Sequence, residues 1–287
     1  MKILISGASG SIGSALAERI YRKQHSDLTL IDQNETGIFY LQGVLRGADC
    51  LVGDVTNKER MEALFKKFKP ELVFHCAAYK HVPVMEKQKE EAIENNVYGT
   101  QNIIDLSVKY GVKKFVLIST DKAVNPVSVM GKTKRICEQM CCAQKGKTEF
   151  VIVRFGNVLS SRGSVSEIFK SNIDRNIPIE ITSEKMERYF IKMQDALTLI
   201  LEAAKKGKNR EVWIWDMGKQ IKIIDLALKF MVEVKKRVKI NFTEPRSGEK
   251  FSEELFNEGE IPKKRGKIFV VQLPYKEINL SELIQTI

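Results

Sequence analysis

"ISGASGSIGSALAE", residues 5–18, carries a short apolar run, "KILIS", into a stretch with the apolar spacing of an amphipathic helix. Gly7, Gly10 and Gly13 fall at the junction. Glycines there permit a tight turn, let backbone N–H groups approach a diphosphate, and bring helix close to strand. The start of a helix also presents a positive dipole end to an anion. Asp32 ends the next apolar run, "LTLID", nineteen residues beyond Gly13, about where a carboxylate accepts bonds from an adenosine ribose. A glycine triplet alone is weak evidence. Strand, turn, helix and Asp32 in this order predict a dinucleotide cradle, with Gly7, Gly10, Ser11, Ile12 and Gly13 around the diphosphate. Asp32 repels a ribose 2′-phosphate, so the expected cofactor is NAD rather than NADP.

Outward from that turn, β-branched and apolar runs recur at "CLVGD", "ELVFH", "KFVLIS", "FVIVR" and "EVWIW", separated mostly by helical segments such as "RMEALFKKF" and "TQNIIDLSVKY". The alternation predicts an α/β fold with a doubly wound parallel (Rossmann) sheet. Residues 1–155 form its expected core, completed by 193–235. The rhythm loosens after Arg154, and 156–192 with 236–287 read as a small C-terminal substrate-binding lobe over the carboxyl edge of the sheet. Asp54 and Val55, at the end of the third run, are candidates for the adenine; Asp54 equally suits a cap on the helix near "NKERM". In "CAAYKH", small Ala77 and Ala78 let the backbone pass close to a cofactor. Lys80 and His81 follow at the edge where ligands bind, Lys80 toward cofactor or substrate and His81 toward substrate. His75, inside the run, reads as a packed core residue.

Composition excludes several classes. A chain of 287 residues, 43% of them hydrophobic, suffices for one large α/β domain with a lobe. The longest apolar runs are strand-length, well short of the roughly 20 residues of a membrane helix, so no span is expected. "MKILISGASG" lacks the regions of a signal peptide, which makes a cytoplasmic protein the expectation. Five cysteines without CxxC pairing read as free thiols, and no metal site is expected. The formal charge of +11 is spread over short lysine clusters, which argues against a nucleic-acid partner and suits a small anionic substrate.

"STDKAVNPVSVMGKTK", residues 119–134, supplies the chemistry. Together with "CAAYKHVPVME", "NNVYGTQN", "RFGNVLSSRGSV", "RYF", "WDMG" and "RSGEKFSEEL", it resembles the CapD-like polysaccharide-biosynthesis branch of the extended short-chain dehydrogenase/reductases, from residue 1 to about 256. The resemblance implies an NAD-dependent nucleotide-sugar 4,6-dehydratase, acting on UDP-N-acetylglucosamine for bacterial polysaccharide or glycan synthesis, and a homo-oligomer. Most short-chain dehydrogenases carry Tyr-x-x-x-Lys; here the pattern is Met130-x-x-x-Lys134, and a thioether cannot take a hydroxyl proton at neutral pH. The branch nevertheless includes active members with methionine at this position.

Dehydration explains why Asp121-Lys122 matters more than the missing phenol. Oxidation at C4 acidifies the C5 hydrogen, a base removes it, and an acid protonates the departing C6 hydroxyl. By resemblance, Asp121 is the acid, Lys122 the base, Thr120 the relay for the C4 hydroxyl proton and Lys134 the ligand to the nicotinamide ribose. Ser119 and Thr120 also suit plain strand-end turn chemistry. Asn157 is carried over as a diphosphate contact, Arg188 and Arg246 as contacts to phosphate and uridine, and Glu249 as an acceptor from the uridine ribose. Ser247 and Lys132 depart from the branch, which commonly has proline and a small residue there. "WDMGKQIKI" favours retention at C5, whereas Arg162 also occurs among inverting members. A nucleotide-sugar 4-epimerase has little use for the Asp121-Lys122 pair, and a catalytically silent NAD- or nucleic-acid-binding protein is disfavoured by the scattered lysines.

Overall fold

The computed structural model describes residues 1–23 and 27–287. Nine strands form the main sheet: β1 (Lys2–Ser6), β2 (Asp27–Asp32), β3 (Asp49–Val52), β4 (Leu72–His75), β5 (Lys114–Ile118), β6 (Glu149–Arg154), β7 (Glu211–Trp215), β8 (Lys263–Arg265) and β9 (Ile268–Gln272). Their spatial order is β8-β9-β7-β6-β5-β4-β1-β2-β3. All pairings from β3 across to β7 are parallel, and only the β7–β9 and β9–β8 pairings are antiparallel. Chain order reverses between β1 and β4, the switch point at which such sheets leave a crevice outside their carboxyl ends. The sheet is the expected doubly wound one.

Both faces of the sheet are covered, so its central strands are apolar throughout rather than alternating. Helices α1 (Ser11–Lys23), α2 (Glu35–Val44) and α7 (Met193–Lys206) close one face with Leu16, Ile38 and Ile200. Helices α3 (Lys58–Phe68), α4 (Gly99–Lys109) and α5 (Val129–Cys142) close the other with Phe65, Ile103 and Cys137. Asparagine and serine start several of these helices. Asn57 accepts from Arg60 N at 2.9 Å and Ser128 from Gly131 N at 3.0 Å, each satisfying an otherwise orphaned donor. The cap of α3 is therefore Asn57, not Asp54.

The lobe has its own small core, in which Phe169 and Ile173 of α6 (Val165–Asp174) meet Ile179, Ile181, Met186, Leu226 and Phe230. The structure divides the chain differently from the expected boundaries. Helix α8 (Ile223–Val234) packs its apolar face on α6 and the strand Ile179–Ile181, in the lobe's own core rather than against the main sheet. Conversely, Lys263–Gln272 returns to the main sheet, because "IFVVQ" buries Val270 and Val271 against β7. The C-terminal helix α9 (Leu280–Gln285) then lies along α5, where Lys132 Nζ donates to Thr286 O at 2.8 Å. The five cysteines are free thiols. Among the described residues no helix is long and apolar enough to cross a membrane.

Candidate active site

At the switch point the glycine turn is shaped by contact. Gly7 has φ +66°, and a Cβ there would lie 2.5 Å from Ala77 N, at the end of β4; a Cβ on Gly13 would lie 2.2 Å from Gly7 O. The close approach of β1 and β4 is thus a property of both Gly7 and Ala77. Among the described residues the N–H groups of Ser11, Ile12 and Gly13 have no acceptor, and the first turn of α1 carries no acidic side chain. Three free donors on a helix start fit a diphosphate. Asp32 is held at the end of β2, where Ser9 N donates to Oδ2 and Asn34 N to Oδ1, each at 2.9 Å. These residues fit a dinucleotide. Asp54 closes a turn by accepting from Thr56 N and Oγ1 at 2.8 Å, and Val55 is buried against Gly99.

A loop from the lobe crosses this cradle. Arg162 N donates to Ser11 Oγ at 2.9 Å, Lys80 Nζ donates to Arg162 O, and Gly163 lies against the His81 ring. Lys80 and His81 therefore meet the loop that lies over Ser11, between cradle and lobe. His75 is a core residue. It is fully buried, with Nδ1 2.7 Å from Ser6 Oγ and Nε2 2.9 Å from Thr100 Oγ1, and burial, assisted by the Lys134 charge, lowers its pKa to about 3.

Beside the cradle, Thr120 caps the short turn Asp121–Ala123 and bonds to both Asp121 and Lys122. Its hydroxyl accepts from Lys122 N at 3.3 Å and donates to Asp121 Oδ1 at 2.9 Å. Lys122 Nζ lies 3.0 Å from the same Oδ1 and 3.1 Å from Asn157 Oδ1. Asp121 is fully buried, yet its Oδ2 has no hydrogen-bond partner among the described residues. Gly156 keeps the space next to that oxygen, since a Cβ there would come within 3.0 Å of Oδ2 and 2.6 Å of Tyr189 O. Ser119, by contrast, points away into the core, where its hydroxyl donates to Glu138 Oε1 at 2.6 Å.

Helix α5 begins directly behind the pair, because Gly131 lets it touch the backbone of Lys122: a Cβ would meet Lys122 O at 2.4 Å. Met130 turns into an apolar cluster with Met85 and Ala92 and is a packing residue there. Lys134, one turn on, is 5% exposed, and its ammonium has no hydrogen-bond partner among the described residues.

The residues expected to contact substrate fall in three places. Asn157 joins Lys122 as above. Arg188 is buried among protein acceptors: Nη1 donates to Glu187 O at 2.7 Å and Phe251 O at 3.2 Å, and Nε is 3.7 Å from Glu253 Oε1. Arg246 is exposed on a loop closed by its own N–H donating to Glu249 Oε2 at 3.2 Å. Glu86 fastens that loop to the start of α5 by accepting from Ser247 Oγ and Val129 N.

Sequence reasoning assigned no role to a buried ion network behind the site. Arg154 Nε and Nη2 donate to Glu138 at 2.8 and 2.7 Å, and Nη1 and Nη2 donate to Glu260 at 2.6 and 2.9 Å. It also assigned none to Glu253, whose carboxylate lies 3.6 Å from Lys122 Nζ. "FSEEL" advertised the carboxylate, but in a segment so rich in charge nothing marks one glutamate as buried. Among the described residues no group of His, Cys, Asp or Glu is placed to hold a metal ion.

Comparison with known proteins agrees with this geometry. The polysaccharide biosynthesis protein family matches residues 3–273. The chain is 41% identical over 272 residues to the probable polysaccharide biosynthesis protein EpsC of Bacillus subtilis, covering 90% of this chain and 45% of that protein. It thus spans about half the length of such relatives. It is 34% identical over 235 residues to a UDP-N-acetylglucosamine 4,6-dehydratase (inverting) of Campylobacter jejuni, covering 78% of this chain and 69% of the relative. The crystal structure of Pen from Bacillus thuringiensis superposes with a TM-score of 0.90 at 30% identity, covering 99% of this chain and 96% of that one. A match that runs from the first strand of the main sheet to the last, around a dinucleotide cradle and an Asp–Lys pair, makes this chain a member of the polysaccharide biosynthesis protein family, in the extended branch of the short-chain dehydrogenase/reductases.

Proposed function

We propose that the chain is an NAD-dependent nucleotide-sugar 4,6-dehydratase that converts UDP-N-acetylglucosamine to a UDP-4-keto-6-deoxy sugar for polysaccharide synthesis. The observation that carries this reading is the Asp121–Lys122 pair: a buried carboxyl with one unpartnered oxygen beside an amine, next to the cradle. Bound NAD supplies the chemistry of taking the C4 hydride and returning it to C6. The chain's own groups handle the protons. Thr120 Oγ1 passes the C4 hydroxyl proton to Asp121, to which it already donates. Lys122, as the neutral amine, removes the C5 hydrogen, and Asp121 delivers its proton to the C6 hydroxyl, which leaves as water. Asn157 steadies the amine, and Lys134 holds the nicotinamide ribose. Return of the C5 proton from the same lysine gives retention at C5. The likeness to an inverting dehydratase supports a second reading, inversion, with the same pair at work.

Incubation with UDP-N-acetylglucosamine and NAD in deuterated water, followed by NMR of the product, tests the proposal. A 6-deoxy-4-keto sugar with deuterium at C5 is expected, and its C5 configuration decides between retention and inversion. A C4 epimer without deuterium would sink the reading. Lys122→Ala is expected to abolish turnover while NAD still binds; surviving turnover removes Lys122 from the mechanism.

A further inference from the structure

Glu253 lies in the segment that leaves the Arg246 loop, and its side chain is only 3% exposed. Oε1 is 3.6 Å from Lys122 Nζ and 3.7 Å from Arg188 Nε, whereas Oε2 is buried without a hydrogen-bond partner among the described residues. Its position is built rather than incidental. Gln220 grips its backbone from both sides, accepting from Glu253 N at Oε1 and donating from Nε2 to Glu253 O, each at 3.0 Å. A carboxylate half-satisfied in a dry site is costly, and for stability alone an apolar side chain of similar size serves as well or better.

Proton accounting gives this carboxylate a task. At the moment of elimination Lys122 must be neutral and Asp121 protonated. Two protons have by then been displaced, one from the Lys122 ammonium and one from the C4 hydroxyl. Asp121 holds one of them. Beside Asp121, the carboxylate that contacts the amine in the described residues is Glu253. The groups facing Glu253 are Lys122, Asp121, Arg188 and Lys250. Burial, with the charge of Asp121, raises its pKa, and the three cations only partly offset this.

We propose that Glu253 is a positioning residue of the elimination site that receives the ammonium proton of Lys122 and so holds the amine neutral while it acts as base. The step breaks an N–H bond on Lys122 and forms an O–H bond on Glu253, turning an ion pair into a neutral pair, and it reverses after product release. This rests on the dehydratase reading above.

The test is the pH dependence of kcat for the wild type, Glu253→Gln and Glu253→Asp on UDP-N-acetylglucosamine with NAD. The wild type is expected to be nearly flat above neutrality. In Glu253→Gln the amine must lose its proton to solvent, so kcat falls at least about 30-fold near neutral pH and climbs about tenfold per pH unit, with KM within about threefold of wild type. Glu253→Asp, which withdraws the carboxylate by one methylene, shows the same climb with a smaller loss and covers the case in which the glutamine variant does not fold. An unchanged kcat, or a loss equal at every pH in a folded variant, overturns the proposal. If the wild type yields no 6-deoxy-4-keto product, the dehydratase reading fails and this role fails with it. Normal wild-type turnover with a pH-independent loss in the variants refutes the role of Glu253 alone.

Discussion

Replacing Arg154 by methionine isolates the ion network behind the site. The guanidinium is 1% exposed and gives four hydrogen bonds to two carboxylates, Glu138 and Glu260, that are themselves 0% and 5% exposed. Burial opposes its charge, but the two carboxylates more than offset that and raise its pKa. Methionine fills much of the volume and leaves both acids without their main cation. Removing one partner of a buried pair costs about 3–5 kcal/mol. Two features reduce the loss here: Arg135 stays 3.2 Å from Glu138 and 3.6 Å from Glu260, and Asn257 still donates to Glu260 from N and Nδ2. The expected destabilisation is therefore about 3 kcal/mol, at the low end of that range. Urea denaturation followed by circular dichroism measures it. Arg154→Met/Glu138→Leu, which removes one stranded acid as well, is expected to recover about half of the loss. A single variant within about 1 kcal/mol of wild type refutes the assignment of a desolvated, mutually dependent network.

The glycine turn and the buried histidine give two more predictions. Gly7→Ala combines a left-handed φ of +66° with a Cβ 2.5 Å from Ala77 N, and is expected to cost about 3 kcal/mol and to abolish NAD binding by calorimetry. Gly43→Ala, on the exposed side of α2 with nothing within 4 Å, is expected to stabilise by about 0.5–1 kcal/mol; the opposite order refutes the steric reasoning. His75 stays neutral in the fold down to about pH 3, whereas its ordinary pKa is 6.5, so only the unfolded chain takes up a proton between those values. Its contribution is complete above pH 6.5 and is lost as pH falls toward 3, at up to ~1.4 kcal/mol per unit. Glu260, lowered by Arg154 against the push of burial, adds stability above the usual glutamate range that is lost as pH falls through its own depressed value. His75→Gln is expected to flatten the fall between pH 6.5 and 5, and an unchanged slope in urea titrations counts against a neutral buried imidazole.

Local signals carried the fold a long way. The glycine turn, Asp32 and the apolar runs are each read within a few residues, and β1 to β7 follow from them. Thr120, Asp121, Lys122 and Asn157 were legible because their motifs are compact, and the structure brings them together. What failed was decided by distant partners. "IFVVQ" pairs with β7, more than fifty residues earlier in the chain, and α8 packs on α6, about fifty residues earlier. Met130 and Lys134 are a pair in sequence, but Met130 turns into an apolar cluster with Met85 and Ala92, while Lys134, though buried, is not part of it. The burial of Arg154, Glu138, Glu253 and Glu260 is invisible in the sequence, where each looks like an ordinary surface charge.

The spacing of those partners has a consequence for how the molecule comes into being. The nucleotide cradle draws on strand ends and helix starts near the beginning of the chain. Lys122 meets Asn157, 35 residues further on, and the surroundings of Asp121 and Lys122 are tied down by links such as Asn125 to Asn257, 132 residues apart, and Arg154 to Glu260, 106 apart. Contacts of that span form late, because the intervening chain must first be ordered. The order around Asp121 and Lys122 therefore depends on segments up to more than a hundred residues further along the chain.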